Sequence, residues 1–193
     1  MIGNDVVDLD LAATQSHWKR KGFLEKVFTA PERDYITSTE DKDLMVWLLW
    51  SMKEAAYKAH QRKNNLPRQL NWLRQECSIS QMNVNMASGM VEIEGEKYVT
   101  QSQISSGAVF TSAVKDQIIP LKNGLFKSSS REMKQNFFRE FSKLYYLPKE
   151  KLSIQKNFHG VPFLTYRDRI IPCFFSFTGH GKFSAFSIAL MNC

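Results

Sequence analysis

The chain has 193 residues, of which 43% are hydrophobic and 12% aromatic, enough to bury a core in one domain or two small lobes and to exclude wholesale disorder. Its net charge of +7 is uneven: residues 1–118 hold 14 Lys/Arg against 15 Asp/Glu, while residues 119–193 hold 12 against 4, so the second half calls for an anionic partner. Three cysteines (Cys77, Cys173, Cys193) make no complete disulfide set and no apolar run nears bilayer-spanning length, so reduced cytoplasmic thiols and no membrane span are expected.

In chain order, Ile2 to Leu11 alternates Val6, Val7, Leu9 and Leu11 with Asp5, Asp8 and Asp10, and its first part predicts a short strand with Asp5 near the start and Asp8 or Asp10 at the end. Those aspartates sit where the apolar core of a signal peptide would fall, so no signal peptide is expected. On residues alone they are solvated, cap a helix, or share a hard cation with a carboxylate from elsewhere. Residues 14–26 suggest a polar, basic helix or loop. Thr29, Pro31 and Glu32 have capping-box spacing for a helix to about Thr37. From Asp43 to Lys63 strong helix formers run without glycine or proline, ending before Asn64-Asn65-Leu66-Pro67.

The pattern then changes to short strands at Cys77–Val84, Met90–Glu94, Lys97–Thr100 and Ala108–Val114, with turns at Ser88-Gly89 and Glu94-Gly95-Glu96. Ile118 to Gly124 suggests a strand and turn between lobes. Ser128-Ser129-Ser130 offers N-caps for a helix from Arg131 to Tyr146, which Pro148 stops. Strands follow at Lys151–Lys156, Val161–Tyr166, Cys173–Thr178 and Phe183–Leu190. The expected fold is α+β, with two similar lobes, 1–118 and 119–193, each a helix on a small antiparallel sheet in a pseudo-twofold arrangement.

The stretch that organises the chain is Leu49-Trp50-Ser51-Met52-Lys53-Glu54-Ala55-Ala56-Tyr57-Lys58-Ala59. One helical turn separates Glu54 from Lys58, so they share a face, with Trp50 one turn before. Such a pair is either a solvated ion pair or, held against bulky apolar groups, a metal-bound anion or acid/base pair. The turn Ser176-Phe177-Thr178-Gly179-His180-Gly181-Lys182 is either an ordinary glycine hairpin or a phosphate grip built from backbone N–H groups, His180 and Lys182. No P-loop, dinucleotide fingerprint, zinc-protease helix or serine-hydrolase elbow is present, and four scattered histidines suggest no zinc site.

Taken together, Gly3-Asn4-Asp5, Phe28-Thr29…Glu32 and Trp50-Ser51-Met52-Lys53-Glu54-Ala55…Lys58 resemble the 4′-phosphopantetheinyl transferase superfamily, whose pattern is G-x-D, F-[ST]-x-x-E and W-[ST]-x-K-E-A-x-x-K in this order. Gly160-Val161-Pro162 and Ser176 to Gly181 resemble its second signature, G-[KR]-P then S-[IL]-S-H-[ST]-G. In two-lobed members that half comes first. Here it comes last, which implies a two-lobed monomer with exchanged halves; a homotrimer of the holo-acyl-carrier-protein synthase type is the alternative.

The resemblance implies Mg²⁺ held by Asp5 and Glu54 against the pyrophosphate of coenzyme A, with Glu54 and Lys58 catalytic and Lys53 supporting the phosphates. It also implies that Thr178, Gly179, His180 and Lys182, with Pro162 and Arg131, cradle the adenine and 3′-phosphate. The partner would be an acyl or peptidyl carrier protein, from fatty-acid, polyketide or peptide synthesis, not nucleic acid or membrane. Three positions depart from the pattern. Val7 stands where many two-lobed members carry another carboxylate, Val161 replaces the lysine of G-K-P, and His180 falls one residue late. A one-residue shift in a hairpin is expected to turn that side chain to the other face. The competing class is a non-catalytic basic module for RNA or an acidic protein on a degenerate transferase scaffold.

Overall fold

A computed structural model describes residues 1–115 and 119–190. The expected uninterrupted helix is α4 (Lys42–Asn64), the fourth of five: α1 (Leu9–Gln15), α2 (Phe23–Val27) and α3 (Ala30–Ser38) precede it, and α5 (Ser130–Tyr145) follows. The Asp41 carboxylate starts α4 by accepting from Leu44 N at 2.9 Å. Asn65 ends it in the left-handed region at φ 49°. Between these caps Val46, Leu48, Leu49, Met52, Ala55, Ala56 and Ala59 are all buried.

These side chains pack on a five-stranded antiparallel sheet in the order β1-β5-β4-β3-β2. Its strands are β1 (Ile2–Asp8), β2 (Gln75–Met82), β3 (Met86–Ile93), β4 (Glu96–Ile104) and β5 (Ala108–Lys115). Close approach selects two glycines. A Cβ at Gly3 would lie 2.0 Å from Ala55 O, and one at Gly89 would lie 2.3 Å from Ser78 O. Ser88-Gly89 is therefore mid-strand and not the expected turn, which falls at residues 83–85. Trp47, Trp72 and Phe23 gather around Trp50 beside this core, Phe23 stacked on it and Trp47 edge-on.

The second half divides six strands between two three-stranded antiparallel sheets, β10-β11-β6 and β7-β8-β9. These are β6 (Leu121–Phe126), β7 (Leu152–Lys156), β8 (Pro162–Tyr166), β9 (Arg169–Ile171), β10 (Phe175–His180) and β11 (Phe183–Ala189). The strand β9 was not expected; Arg167 and Asp168, both at positive φ, turn the chain tightly into it. Ser129 and Glu132 form the capping box of α5, which lays Met133, Phe137 and Phe141 against Leu164, Phe175 and Phe186.

The α+β class stands, but the first sheet is larger than expected and α1, α2 and α3 add Ala12, Phe23, Val27 and Ile36 to the α4 core. The boundary drawn at 118/119, with the strand start at Ile118, touches residues 116–118, which lie outside the described residues, as does Cys193. Strand β1 faces two ways: Val7 joins the α4 core, while Val6 packs with Phe183 and Ala185 in a small cluster between the sheets.

Candidate active site

The edge of β1 away from β5 faces β10 without a backbone ladder. Side chains take the ladder's place. Asn4 N donates to Ser176 Oγ at 3.1 Å, and Asp8 N donates to His180 Nδ1 at 2.9 Å. A buried strand edge needs such acceptors, because an unpaired N–H costs about 1–3 kcal/mol. Asp8 latches the turn that follows, accepting from Leu11 N at 3.3 Å and Lys182 N at 2.9 Å. Gly181, at φ 56°, is required there, since a Cβ would lie 2.2 Å from Asp8 Oδ2.

Across this seam α4 presents a stripe of residues one turn apart: Glu54, Lys58 and Arg62. Lys58 Nζ donates to Asp5 Oδ1 at 2.9 Å, to Asn4 O at 2.9 Å and to Thr178 Oγ1 at 3.4 Å. Thr178 Oγ1 donates to the same Asp5 oxygen at 3.2 Å. Arg62 ties the halves together by donating to Ile2 O at 3.2 Å and Phe175 O at 2.7 Å. It does so without a carboxylate partner among the described residues, and burial pulls its pKa down to about 10. Glu54 is pushed the other way. Burial raises its pKa first and the Asp5 charge second, against the pull of Lys58 and Arg68. A carboxyl so placed holds its proton more tightly than an ordinary glutamate, which suits a general base.

Two cavities meet at this stripe. One, of about 380 Å³, is lined by Asp5, Trp47, Trp50, Thr178, Gly179 and His180 among others. The other, of about 350 Å³, is lined by Tyr57, Arg62, Lys156, His159, Val161 and Pro162 among others. Glu54, Lys58 and Arg68 line both. The second cavity therefore gathers Lys58, Arg62, Arg68 and Lys156 around the single carboxylate of Glu54, which is a setting for an anion.

Asp5, Glu54, Lys58, Thr178, Gly179 and His180 thus converge on the first cavity, and Pro162 lies in the second. His180 corrects the expectation of a turned side chain. The strand's period of two sets Ser176, Thr178 and His180 on the face that meets β1.

Lys53 is a second correction. It is fully buried and donates to Val27 O at 2.8 Å and Trp72 O at 3.0 Å. It also pairs with the fully buried Glu32 at 2.7 Å, so it supports the core and no phosphate. Glu32 accepts from Thr29 N and Cys77 N as well, which joins α3, α4 and β2. Arg131 and Lys182 line neither cavity: Arg131 is exposed at the start of α5, and Lys182 Nζ pairs with Asp10. Sequence reading missed Arg62, although the i, i+4 stripe from Glu54 was visible, and missed Arg68, which no pattern marks.

As ligands for Mg²⁺, Asp5 and Glu54 offer the hard oxygen donors that ion takes, and Asp5's effect on Glu54 is the repulsion a cation would relieve. Among the described residues no cluster of three or more metal-binding side chains exists. Waters and phosphate oxygens would have to complete the coordination.

The sequence profile of the 4′-phosphopantetheinyl transferase superfamily matches residues 1–110, more than half of the chain, and the chain belongs to that superfamily. It is accordingly a transferase by class. No curated protein matches it. No helix is long and apolar enough to cross a membrane among the described residues.

Proposed function

We propose that the chain transfers the 4′-phosphopantetheine arm of coenzyme A to a serine of an acyl or peptidyl carrier protein, releasing 3′,5′-ADP. The observation that carries this reading is Glu54, its proton affinity raised, beside Asp5 and Lys58 where the two cavities meet. The cationic second cavity suits the nucleotide and its phosphates. The first, walled by Trp47 and Trp50, suits the pantetheine and the approaching carrier loop.

In this mechanism the serine oxygen attacks the phosphorus that bears the pantetheine, and its proton passes to Glu54 directly or through one water. The bond from that phosphorus to the bridging oxygen breaks, leaving the electron pair on 3′,5′-ADP. Lys58, now held by Asp5 and Thr178, lies within reach of the departing phosphate and stabilises or protonates it. Asp5 and Glu54 would hold Mg²⁺, which when bound neutralises charge on the pyrophosphate. In this reading residues 1–118 are the metal and catalytic side and also lend Arg62 and Arg68 to the nucleotide cavity, residues 119–193 supply the rest of the coenzyme side, and the protein acts as a cytoplasmic monomer. One chain supplies both cavities, which supports the monomer over the trimer. Val161 removes one coenzyme contact, but Arg62, Arg68 and Lys156 supply positive charge there, which weakens the case for a non-catalytic binding module.

The test is to incubate the protein with coenzyme A, Mg²⁺ and an apo carrier protein, then weigh the carrier. A gain of one phosphopantetheine arm is expected, with Glu54→Gln slower by about 10²–10⁴-fold. An unmodified carrier, or full activity in Glu54→Gln, would refute this mechanism.

A further inference from the structure

Beyond α4 the chain crosses the front of both cavities as the irregular segment 65–71, and Arg68 is its only side chain that lines the two of them. Arg68 is exposed and has no ion-pair partner among the described residues. Its charge nonetheless acts on Glu54, drawing the carboxyl's proton affinity down against burial and Asp5.

The backbone that carries Arg68 is clamped on both sides. The Tyr57 hydroxyl accepts from Gln69 N at 2.6 Å and donates toward Pro67 O at 3.5 Å, straddling residue 68. Gln61 Nε2 holds the preceding carbonyl, Leu66 O, at 3.2 Å. Pro67 fixes its own φ and removes a donor from a segment that has few backbone partners. A hydroxyl on the buried side of α4 is thus spent on fixing one arginine, and that arginine faces the same opening as Glu54 and Lys58. A segment pinned at two points around one unpaired cation that lines both cavities is an arrangement for presenting that cation to an anion.

We infer that Arg68 contacts the phosphates of the anionic co-substrate between the two cavities, and that Tyr57 is its positioning residue. This rests on the reading of the second cavity as the coenzyme side. Arg68 and Lys58 line the same two cavities, so both would meet the pyrophosphate, the planar guanidinium spanning two oxygens where an ammonium reaches one. Tyr57 also lines the second cavity, and its hydroxyl is engaged by the backbone on either side of Arg68, so its effect is assigned to Arg68 and the double variant below tests that assignment.

The experiment is a titration of the intact protein with coenzyme A in Mg²⁺, followed by calorimetry, with the transfer reaction run in parallel. Arg68→Ala should weaken coenzyme binding by about tenfold to a hundredfold, the worth of a charge-assisted hydrogen bond. Arg68→Lys should recover part of it. Tyr57→Phe should weaken binding in the wild-type background but leave Arg68→Ala unchanged, because a residue acting through another adds nothing once that other is gone. Binding by Arg68→Ala within twofold of wild type would overturn the role of Arg68. An equal, additive loss from Tyr57→Phe in both backgrounds would make Tyr57 merely structural. Coenzyme binding by the wild type without transfer would refute the transferase reading alone, whereas no coenzyme binding at all would sink both.

Discussion

Replacing Lys53 with methionine separates a structural lysine from a phosphate ligand. The ammonium and its partner Glu32 are both wholly excluded from solvent and lie 2.7 Å apart. Methionine keeps the length and apolar character of the stem but leaves the Glu32 carboxylate facing only the N–H groups of Thr29 and Cys77. It also leaves Val27 O and Trp72 O without the donor they now share. Breaking a buried pair from one side costs about 3–5 kcal/mol, because the surviving charge stays desolvated. At about 2–4 °C per kcal/mol for a domain of this size, the melting temperature should fall by about 6–20 °C. Urea unfolding followed by tryptophan fluorescence reports this directly, since Trp47, Trp50 and Trp72 cluster beside the pair. Lys53→Met/Glu32→Gln should recover part of the loss, as the stranded charge is gone. Coenzyme affinity, measured well below the new melting point, should stay near wild type. Wild-type melting with weakened coenzyme binding would refute the reasoning and return Lys53 to the phosphates.

Three other outcomes follow from the same geometry. Burial and the Asp5 charge hold the Glu54 pKa above the usual glutamate value in the metal-free protein, so without Mg²⁺ Glu54 should titrate above an exposed glutamate, read by NMR of the carboxyl carbon. In metal-free Asp5→Asn that titration should move to lower pH, because the neighbouring negative charge is gone. A raised folded pKa gives a stability term that is complete below the unfolded value and lost as pH rises through the folded one. Glu54→Gln should therefore melt higher than wild type at neutral pH, with the gap closing on acidification. Gly3→Ala should destabilise the fold by about 1–3 kcal/mol or more, since its methyl would lie 2.0 Å from Ala55 O, and unchanged melting with unchanged transfer would contradict that contact. Asp8→Ala should cost about 1–2 kcal/mol by leaving Leu11 N and Lys182 N without an acceptor. Burial alone would push the Asp8 carboxyl up, but the N–H groups of Lys182 and Leu11 and the Lys182 charge hold it below the usual range. Its contribution is thus present above the unfolded pKa and lost as pH falls through the folded one, and the variant should lack this acid sensitivity on melting.

What was legible in the sequence was what local rules govern. The capping box at Thr29, the N-cap among Ser128 to Ser130, the long α4 and the shared face of Glu54 and Lys58 all follow from spacing within a few residues. Lys53 was misread because its neighbour in sequence is not its neighbour in space. A step of one residue turns about 100° around a helix, so Lys53 points away from Glu54, onto the row that begins with the buried Leu49. Its partner Glu32 lies 21 residues earlier, and no spacing rule reaches that far. Gly89 was misread because glycine marks a turn and a close approach alike, and only the packing of Met52 and β2 against it decides which. Arg68 carried no periodicity, so nothing distinguished it from other loop cations until the Tyr57 clamp was visible.

The seam explains why His180, one residue late against the family pattern, still faces the site. Asn4 and Asp8 are four residues apart on β1, and the side chains that accept from them, Ser176 and His180, are four apart on β10. Equal steps in the same sense mean that the two strands run parallel and in register, although no ladder joins them. A parallel ladder would have used the carbonyls of β10 and merged the two sheets. Using its side chains instead leaves a wider gap, and into that gap α4 inserts Lys58, between Asp5 on one strand and Thr178 on the other. The site thus exists because the sheets stop short of joining. The demand of two edge N–H groups for acceptors, four residues apart, sets which face of β10 looks inward. A histidine at position 180 meets that demand, whereas one at 179 would point away from it, so the residue's place in the strand's alternation decides its role.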